Sequence, residues 1–219
     1  MKTLVVSAHP DDETLGAGGT ILKHLANGDE VYWCYFTLFF ENSDDAYKRK
    51  RESIVSTVFR TYGFKDRFSL NFHAGDLDKV GFCDLIDNLS NIINKIKPEI
   101  IYTVGPMDVN TDHEYAYKAV MACTKPSYTP FVRKILIYEV PSSTNWSFPD
   151  TTRFFMPNCF CDISGFLEKK IEIMRIFEGE HKEYPHPRSD RGIRAIAEYR
   201  GSSINVEFAE AFMIMREIF

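Results

Sequence analysis

The sequence predicts an α/β protein of Rossmann-like, three-layer architecture, a mostly parallel sheet with helices packed on both faces. Two observations carry that expectation. Short apolar runs, several rich in β-branched and aromatic residues, alternate with longer amphipathic runs through the first two thirds of the chain. Glycine or proline stands where several of the longer runs stop.

Taken in order, residues 4–8 read as a buried parallel strand, because apolar side chains fill nearly every position instead of every second one. Residues 13–26 read as a helix that Asp11 or Asp12 is able to cap and Gly28 to end. The β-branched and aromatic run 31–37 is a second strand, and 44–62 a long amphipathic helix closed by Gly63. A short strand over 68–72 leads to a helix over 82–97 that Pro98 stops. Residues 100–104 make another buried strand, 112–123 the helix after it, and 135–140 the next strand. The last third is less regular. It offers a strand over 154–163, a helix over 165–177, a polar loop over 180–190 and a short helix over 193–199 before Gly201. No repeat, low-complexity tract or linker divides the chain, so residues 1–219 are expected to form one domain.

A formal net charge of -5 argues against a nucleic-acid partner, and the one short basic run, Lys48 to Arg51, reads for most of its residues as a solvated helix face. No window of 18 or more apolar residues exists, so no membrane-spanning helix is expected. Met1-Lys2-Thr3 enters a strand directly, without the regions of a signal peptide. Five cysteines with no CxxC spacing suggest reduced thiols and a cytoplasmic protein, with Cys159 and Cys161 as core packing.

The chemistry gathers where the first strand ends. The segment from Val5 to Glu13 places His9, Asp11 and Asp12 at the C-terminal edge of a strand, where open α/β sheets bind ligands. His9 and Asp12 can reach one metal ion, and Asp11 between them can serve as a base. A catalytic zinc site has three protein ligands and one position open to water. The third ligand must come from another strand end, and His113, soon after the strand 100–104, is the candidate. Histidine, aspartate and histidine together suit zinc, iron or manganese. Taken singly, Asp12 and Asp112 are as well suited to capping helices. Gly16, Gly18 and Gly19 do not spell a phosphate loop, and close packing of the first helix on the sheet explains them better.

The contiguous segment Ala8-His9-Pro10-Asp11-Asp12-Glu13 resembles the AHPDDE signature of the LmbE/PIG-L family of metal-dependent N-deacetylases. The resemblance implies a zinc ion on His9, Asp12 and His113, and Asp11 as general base for water attacking an acetamide. It implies a small-molecule substrate, an N-acetylglucosamine-type sugar or glycoconjugate, and suggests that self-association is common. Glu13 is expected to hold the loop or a ligand from behind. His113 matches the histidine that ends the family's second signature. Three residues earlier, where the family often has a second histidine, stands Asn110, which can donate a hydrogen bond to an oxyanion but cannot deliver a proton.

The segment His186-Pro187-Arg188-Ser189 looks like the HPRS sequence of one branch of the family, and makes His186 a candidate acid or oxyanion stabiliser; a surface-loop histidine is the plainer reading. Arg49 resembles a substrate-binding arginine at a family helix start, with Arg51 a rival and an ion pair to Glu52 the plainer role. Trp146 is placed to stack on a sugar ring or to pack as a lid. His73 and Asp76 follow a strand and are weaker substrate candidates, and His24 and His181 read as surface residues. Two other classes fit the same residues: a different amide or carbamoyl hydrolase, and a non-catalytic metal- and sugar-binding module.

Overall fold

The computed structural model describes residues 1–147 and 154–219. At its centre lies a seven-stranded sheet of order β3-β2-β1-β4-β5-β7-β6. Strands β1 (Lys2–Ser7), β2 (Glu30–Phe39), β3 (Asp66–His73), β4 (Ile100–Thr103) and β5 (Lys134–Tyr138) are parallel. Strand β7 (Ala209–Glu217) runs antiparallel between β5 and β6 (Cys159–Asp162). The helices are α1 (Asp12–Ala26), α2 (Asp45–Tyr62), α3 (Phe82–Ile96), α4 (Thr111–Cys123), α5 (Leu167–Ile176) and α6 (Asp190–Ser202). Helices α1, α2, α5 and α6 pack among themselves and α3 packs with α4. Right-handed crossovers place these two groups on opposite faces of the sheet. The expected mostly parallel, three-layer architecture is therefore present.

The central strands owe their place to apolar content. Leu4, Val5 and Val6 of β1 and Trp33, Cys34 and Phe36 of β2 have no exposed surface, which is what a strand covered on both faces requires. The glycines of α1 serve close packing, as expected. A Cβ at Gly16 would lie 2.2 Å from Tyr138 Cδ2, and one at Gly19 would lie 2.7 Å from Ile163 Cβ.

Two elements differ from expectation. The strand expected over 154–163 forms only at Cys159–Asp162, since Pro157 has no N–H to give a ladder. Strand β7 was not expected at all: its sequence, AEAFMIMRE, is built of helix formers. Tertiary contacts override that propensity. Glu210 Oε1 and Oε2 accept the backbone N–H of Gly19 and Thr20 at 2.8 and 2.7 Å. Lys170 Nζ meets Glu210 Oε1 at 2.7 Å and the Leu15 carbonyl at 2.8 Å. Three elements, α1, α5 and β7, are thereby tied in the interior.

This topology fixes the site. Chain order reverses at β1, which pairs with β2 on one side and β4 on the other. The segments leaving the C-terminal ends of β1 and β4 diverge there and open a crevice. His9 to Asp12 follow β1, and Asn110 to His113 follow β4.

Candidate active site and metal centre

His9, Asp12 and His113 come together at this crevice, with one ligating atom from each within 4.8 Å of the others. His9 Nδ1 lies 3.6 Å from Asp12 Oδ2, and His113 Nε2 lies 3.3 Å from Asp12 Oδ1. The opposite nitrogen of each ring meets a carboxylate. His9 Nε2 is 2.8 Å from Asp112 Oδ2, and His113 Nδ1 is 2.6 Å from Asp108 Oδ2. That pattern orients and polarises metal-binding imidazoles in general. Its 3.3 Å approach to Asp12 aside, Nε2 of His113 is buried and has no hydrogen-bond partner among the described residues, a costly arrangement in a protein interior unless a further group meets it.

The electrostatics agree. Burial works against protonation of His9, yet the Asp112 and Asp12 carboxylates outweigh it and raise the imidazole to about 9. Burial opposes protonation of His113 as well, and Asp12 with Asp108 carries it to about 10. Asp12 is held far below the usual carboxylate range: the two imidazoles overcome its burial. Such a concentration of negative potential suits a divalent cation, and the donor set fits one.

Asp112 does more than face His9. Its carboxylate also accepts the N–H of Gly75 at 2.7 Å and of Leu77 at 3.1 Å. The loop after β3 is thus registered against the metal cluster.

Asp11 occupies the turn between β1 and α1 with φ 135° and ψ -29°, a conformation that residues with a side chain rarely adopt. Glu13 holds that turn. Its Oε2 accepts the Asp11 N–H at 3.1 Å and the Ser7 hydroxyl at 3.1 Å, and its Oε1 accepts the Thr14 hydroxyl at 2.7 Å. Asp11 does not cap α1 through its side chain. The carboxylate turns instead to Arg188, whose Nη1 stands 2.8 Å from Asp11 Oδ2 and 2.9 Å from Glu180 Oε2. Burial pushes the Asp11 carboxyl up to about 7, against the pull of Arg188. Arg188 is itself fixed, since its Nε donates to Ser142 Oγ at 2.7 Å.

A cleft of about 240 Å³ opens over these groups, its wall including His9, Asp11, Arg51, Asn110, Asp112 and Arg188. Arg51 is 7% exposed, and its Nε has no hydrogen-bond partner among the described residues. Its other contacts are long, 3.4 Å to the Pro10 carbonyl and 3.7 Å to Glu180 Oε1. Asn110 sits at the cleft and also caps α4, its Oδ1 accepting the Asp112 N–H at 3.0 Å.

The other candidates fall elsewhere. Arg49 is exposed on α2 and does not line the cleft, while Arg51 does. Glu52 turns to Arg67. His186 is off the cleft wall. Its ring meets Trp146 edge-on at 5.2 Å, and its Nδ1 accepts the Arg188 N–H at 3.1 Å. Trp146 is 52% exposed and is likewise off the wall. His73 and Asp76 lie outside the cleft. His24 is a correction: it is 13% exposed, bonded to Asp29 at 2.7 Å and to the Tyr102 hydroxyl at 3.0 Å, because the end of α1 lies on the sheet. His181 is half-covered and bonds Asp190 at 2.8 Å. Arg188 and Glu180 were not singled out from sequence. The HPRS segment held the signal for Arg188.

The fold and the cluster define an α/β protein with a candidate metal centre at its switch-point crevice. The family model described as PIG-L, GlcNAc-PI de-N-acetylase, matches residues 4–124, and the chain belongs to that family. It is 27% identical over 232 residues to diacetylchitobiose deacetylase of Thermococcus kodakarensis, covering 100% of this chain and 84% of that protein. The solved structure of N,N'-diacetylchitobiose deacetylase from Pyrococcus horikoshii matches with a TM-score of 0.78 at 21% identity, over 98% of this chain and 84% of its own. GalB, the 4-carboxy-2-hydroxymuconate hydratase of Pseudomonas putida KT2440, matches with a TM-score of 0.75 at 20% identity, over 100% and 98% of the two chains. Likeness at these structural identities shows the fold alone, and a hydratase on the same fold leaves the reaction to be argued from the site.

Proposed function

We propose that this chain is a zinc-dependent hydrolase that removes the N-acetyl group from an N-acetylglucosamine-type sugar or glycoconjugate. The observation that carries the reading is the buried His9-Asp12-His113 cluster, each imidazole backed by its own carboxylate, with Asp11 at its side. His9, Asp12 and His113 would hold the metal. When bound, zinc supplies Lewis acidity and makes water acidic enough to lose a proton near neutral pH.

Asp11 takes the proton from the attacking water as the acyl carbon is attacked. Burial raises its basicity to suit a base at neutral pH, and Arg188 fixes the carboxylate's direction. Asn110 holds its Oδ1 on the α4 cap, so its amide nitrogen is the end left to donate to the developing oxyanion. His186 stands off the cleft wall, so Asp11 is the group placed to return the proton to the leaving amine. Arg51, in preference to Arg49, donates to a substrate hydroxyl. The family and the deacetylase relative support an acetamido sugar as substrate. Five free cysteines, and no helix among the described residues long and apolar enough to cross a membrane, accord with the proposed cytoplasmic location.

The test is acetate release from a panel of N-acetylated sugars, using chelated enzyme and enzyme restored with zinc. Release that returns with zinc and disappears in Asp11→Asn supports the reading. Stoichiometric zinc without acetate from any sugar overturns it in favour of another amide or carbamoyl substrate, or of a binding role.

A further inference from the structure

Two carboxylates back the histidines of the cluster, and they differ in what else they hold. Asp108 meets His113 Nδ1 at 2.6 Å, and its Oδ1 accepts the Asn110 N–H at 2.8 Å within its own loop. Asp112 reaches further. Its Oδ2 meets His9 Nε2 at 2.8 Å, and the same oxygen accepts the Gly75 N–H at 2.7 Å. Its Oδ1 accepts the Leu77 N–H at 3.1 Å. A single oxygen atom thus joins an imidazole of the cluster to backbone from a different crossover.

That backbone is a wall of the cleft. Ala74 and Gly75 line it beside His9 and Asp112. Ala74 is tied to the sheet, its N–H donating to the Phe39 carbonyl at 2.8 Å. At Gly75 the chain turns away with φ 81°, in the left-handed region that glycine adopts without strain. Leu77, which begins a short 3-10 turn, is fully buried. Gly75 itself is exposed, whereas Asp112 has no exposed surface. Water therefore reaches the loop but has no ready access to the carboxylate, where a lost donor is costly.

His9 stands at the other end of this link. Its Nδ1 edge faces Asp12 at 3.6 Å, and its Nε2 edge faces Asp112. A ring anchored to a metal through one nitrogen keeps a fixed direction at the other. A ring without that anchor turns more freely, and the oxygen shared with Gly75 moves with it.

Resting on the proposed metal-binding reading, we infer that Asp112 couples the metal centre to the cleft wall, so that occupancy of the His9-Asp12-His113 site orders the backbone from Gly75 to Leu77. Asp112 is a positioning residue, acting through His9 and through the loop backbone. Such coupling is reciprocal: what steadies the loop also steadies the metal. Asp108 has no part in it, although it backs a ligand of the same cluster.

Amide hydrogen exchange, read residue by residue by NMR on the full chain, tests this with zinc alone as the probe. Native mass spectrometry counts the bound zinc in parallel. Removing zinc from the wild type is expected to speed exchange at Gly75 and Leu77 by about tenfold, while the amides of β5 stay unchanged. At saturating zinc, Asp108→Asn keeps both loop amides slow. Asp112→Asn exchanges them equally fast with and without zinc, because one of its two acceptor oxygens becomes a donor NH2 facing other donors. Equal exchange in loaded and zinc-free wild type overturns the coupling. So does zinc-dependent protection that survives in Asp112→Asn, or a loop in zinc-saturated Asp108→Asn as fast as in zinc-free wild type. Should Asp112→Asn fail to fold, the wild-type comparison and Asp108→Asn decide. A wild type that takes up no zinc overturns the metal reading and the coupling with it. Acetate release is not read, so the deacetylase reading and the coupling fail separately.

Discussion

Arg188 Nη1 lies 2.8 Å from Oδ2 of Asp11, joining the loop before α6 to the turn after β1. The same guanidinium donates from Nε to Ser142, so Asp11 is aimed by a side chain fixed at its other edge. Replacing it with Arg188→Met leaves the base unaimed in its strained turn. Turnover is expected to drop by about 100-fold, the scale of a general base out of position, while zinc content measured by mass spectrometry stays stoichiometric. Undiminished turnover would refute a positioning role.

Asp108 backs His113 at 2.6 Å and reaches no other part of the cluster. Asp108→Asn keeps the shape and removes the charge. Zinc affinity, read by competition with a chromophoric chelator, is expected to weaken by about 10- to 100-fold. An unchanged affinity would mean that His113 is oriented by packing alone.

Lys170 and Glu210 are each 4% exposed. Lys170→Met strips the buried carboxylate of its cation, and urea unfolding is expected to show a loss of about 3–5 kcal/mol. Lys170→Met combined with Glu210→Gln removes both charges, and its amide oxygen still accepts one of the Gly19 and Thr20 N–H groups, so it is expected to be the more stable of the two. A double variant worse than the single one would contradict this account.

Asp29 supplies a pH dependence away from the catalytic groups. Burial raises its carboxyl, but hydrogen bonds from His24 and the Met1 amine outweigh that and hold it below its usual range. A carboxyl depressed in the folded state stabilises above its unfolded pKa, and the contribution fades as pH falls through the folded one. Asp29→Asn is therefore expected to cost about 0.5–1 kcal/mol at pH 7. The gap between variant and wild type should close in acid below the ordinary aspartate range, as followed by thermal melts across pH. A gap that widens on acidification would reverse the sign.

Strands β1 to β5 were legible because buried parallel strands announce themselves as apolar runs between helical ones. Strand β7 was not, because Ala209, Glu210, Met213 and Met215 carry helix propensity, and the contacts that recruit them come from α1 and α5. The segment after β1 was legible as a unit, since strand, histidine and carboxylates are contiguous. Arg49 and Arg51 could not be separated by sequence: two positions apart on a helix they point far apart, and only the phase of α2 against the sheet decides which one faces the cleft. Between His186 and Arg188 no periodicity guides a reader, for a loop side chain's direction is set by partners such as Ser142 and Asp11 that lie distant in the chain.

Those partners also impose an order in time. His9, Asp12 and His113 all leave the ribosome before Arg188, and Glu210, which steadies the helix behind Asp12, is made later still. A nascent chain released after α4 would own every proposed zinc ligand and the Glu13 that holds the Asp11 turn, but not the Arg188 that aims its base. Translation thus finishes the metal cluster before the machinery that directs it.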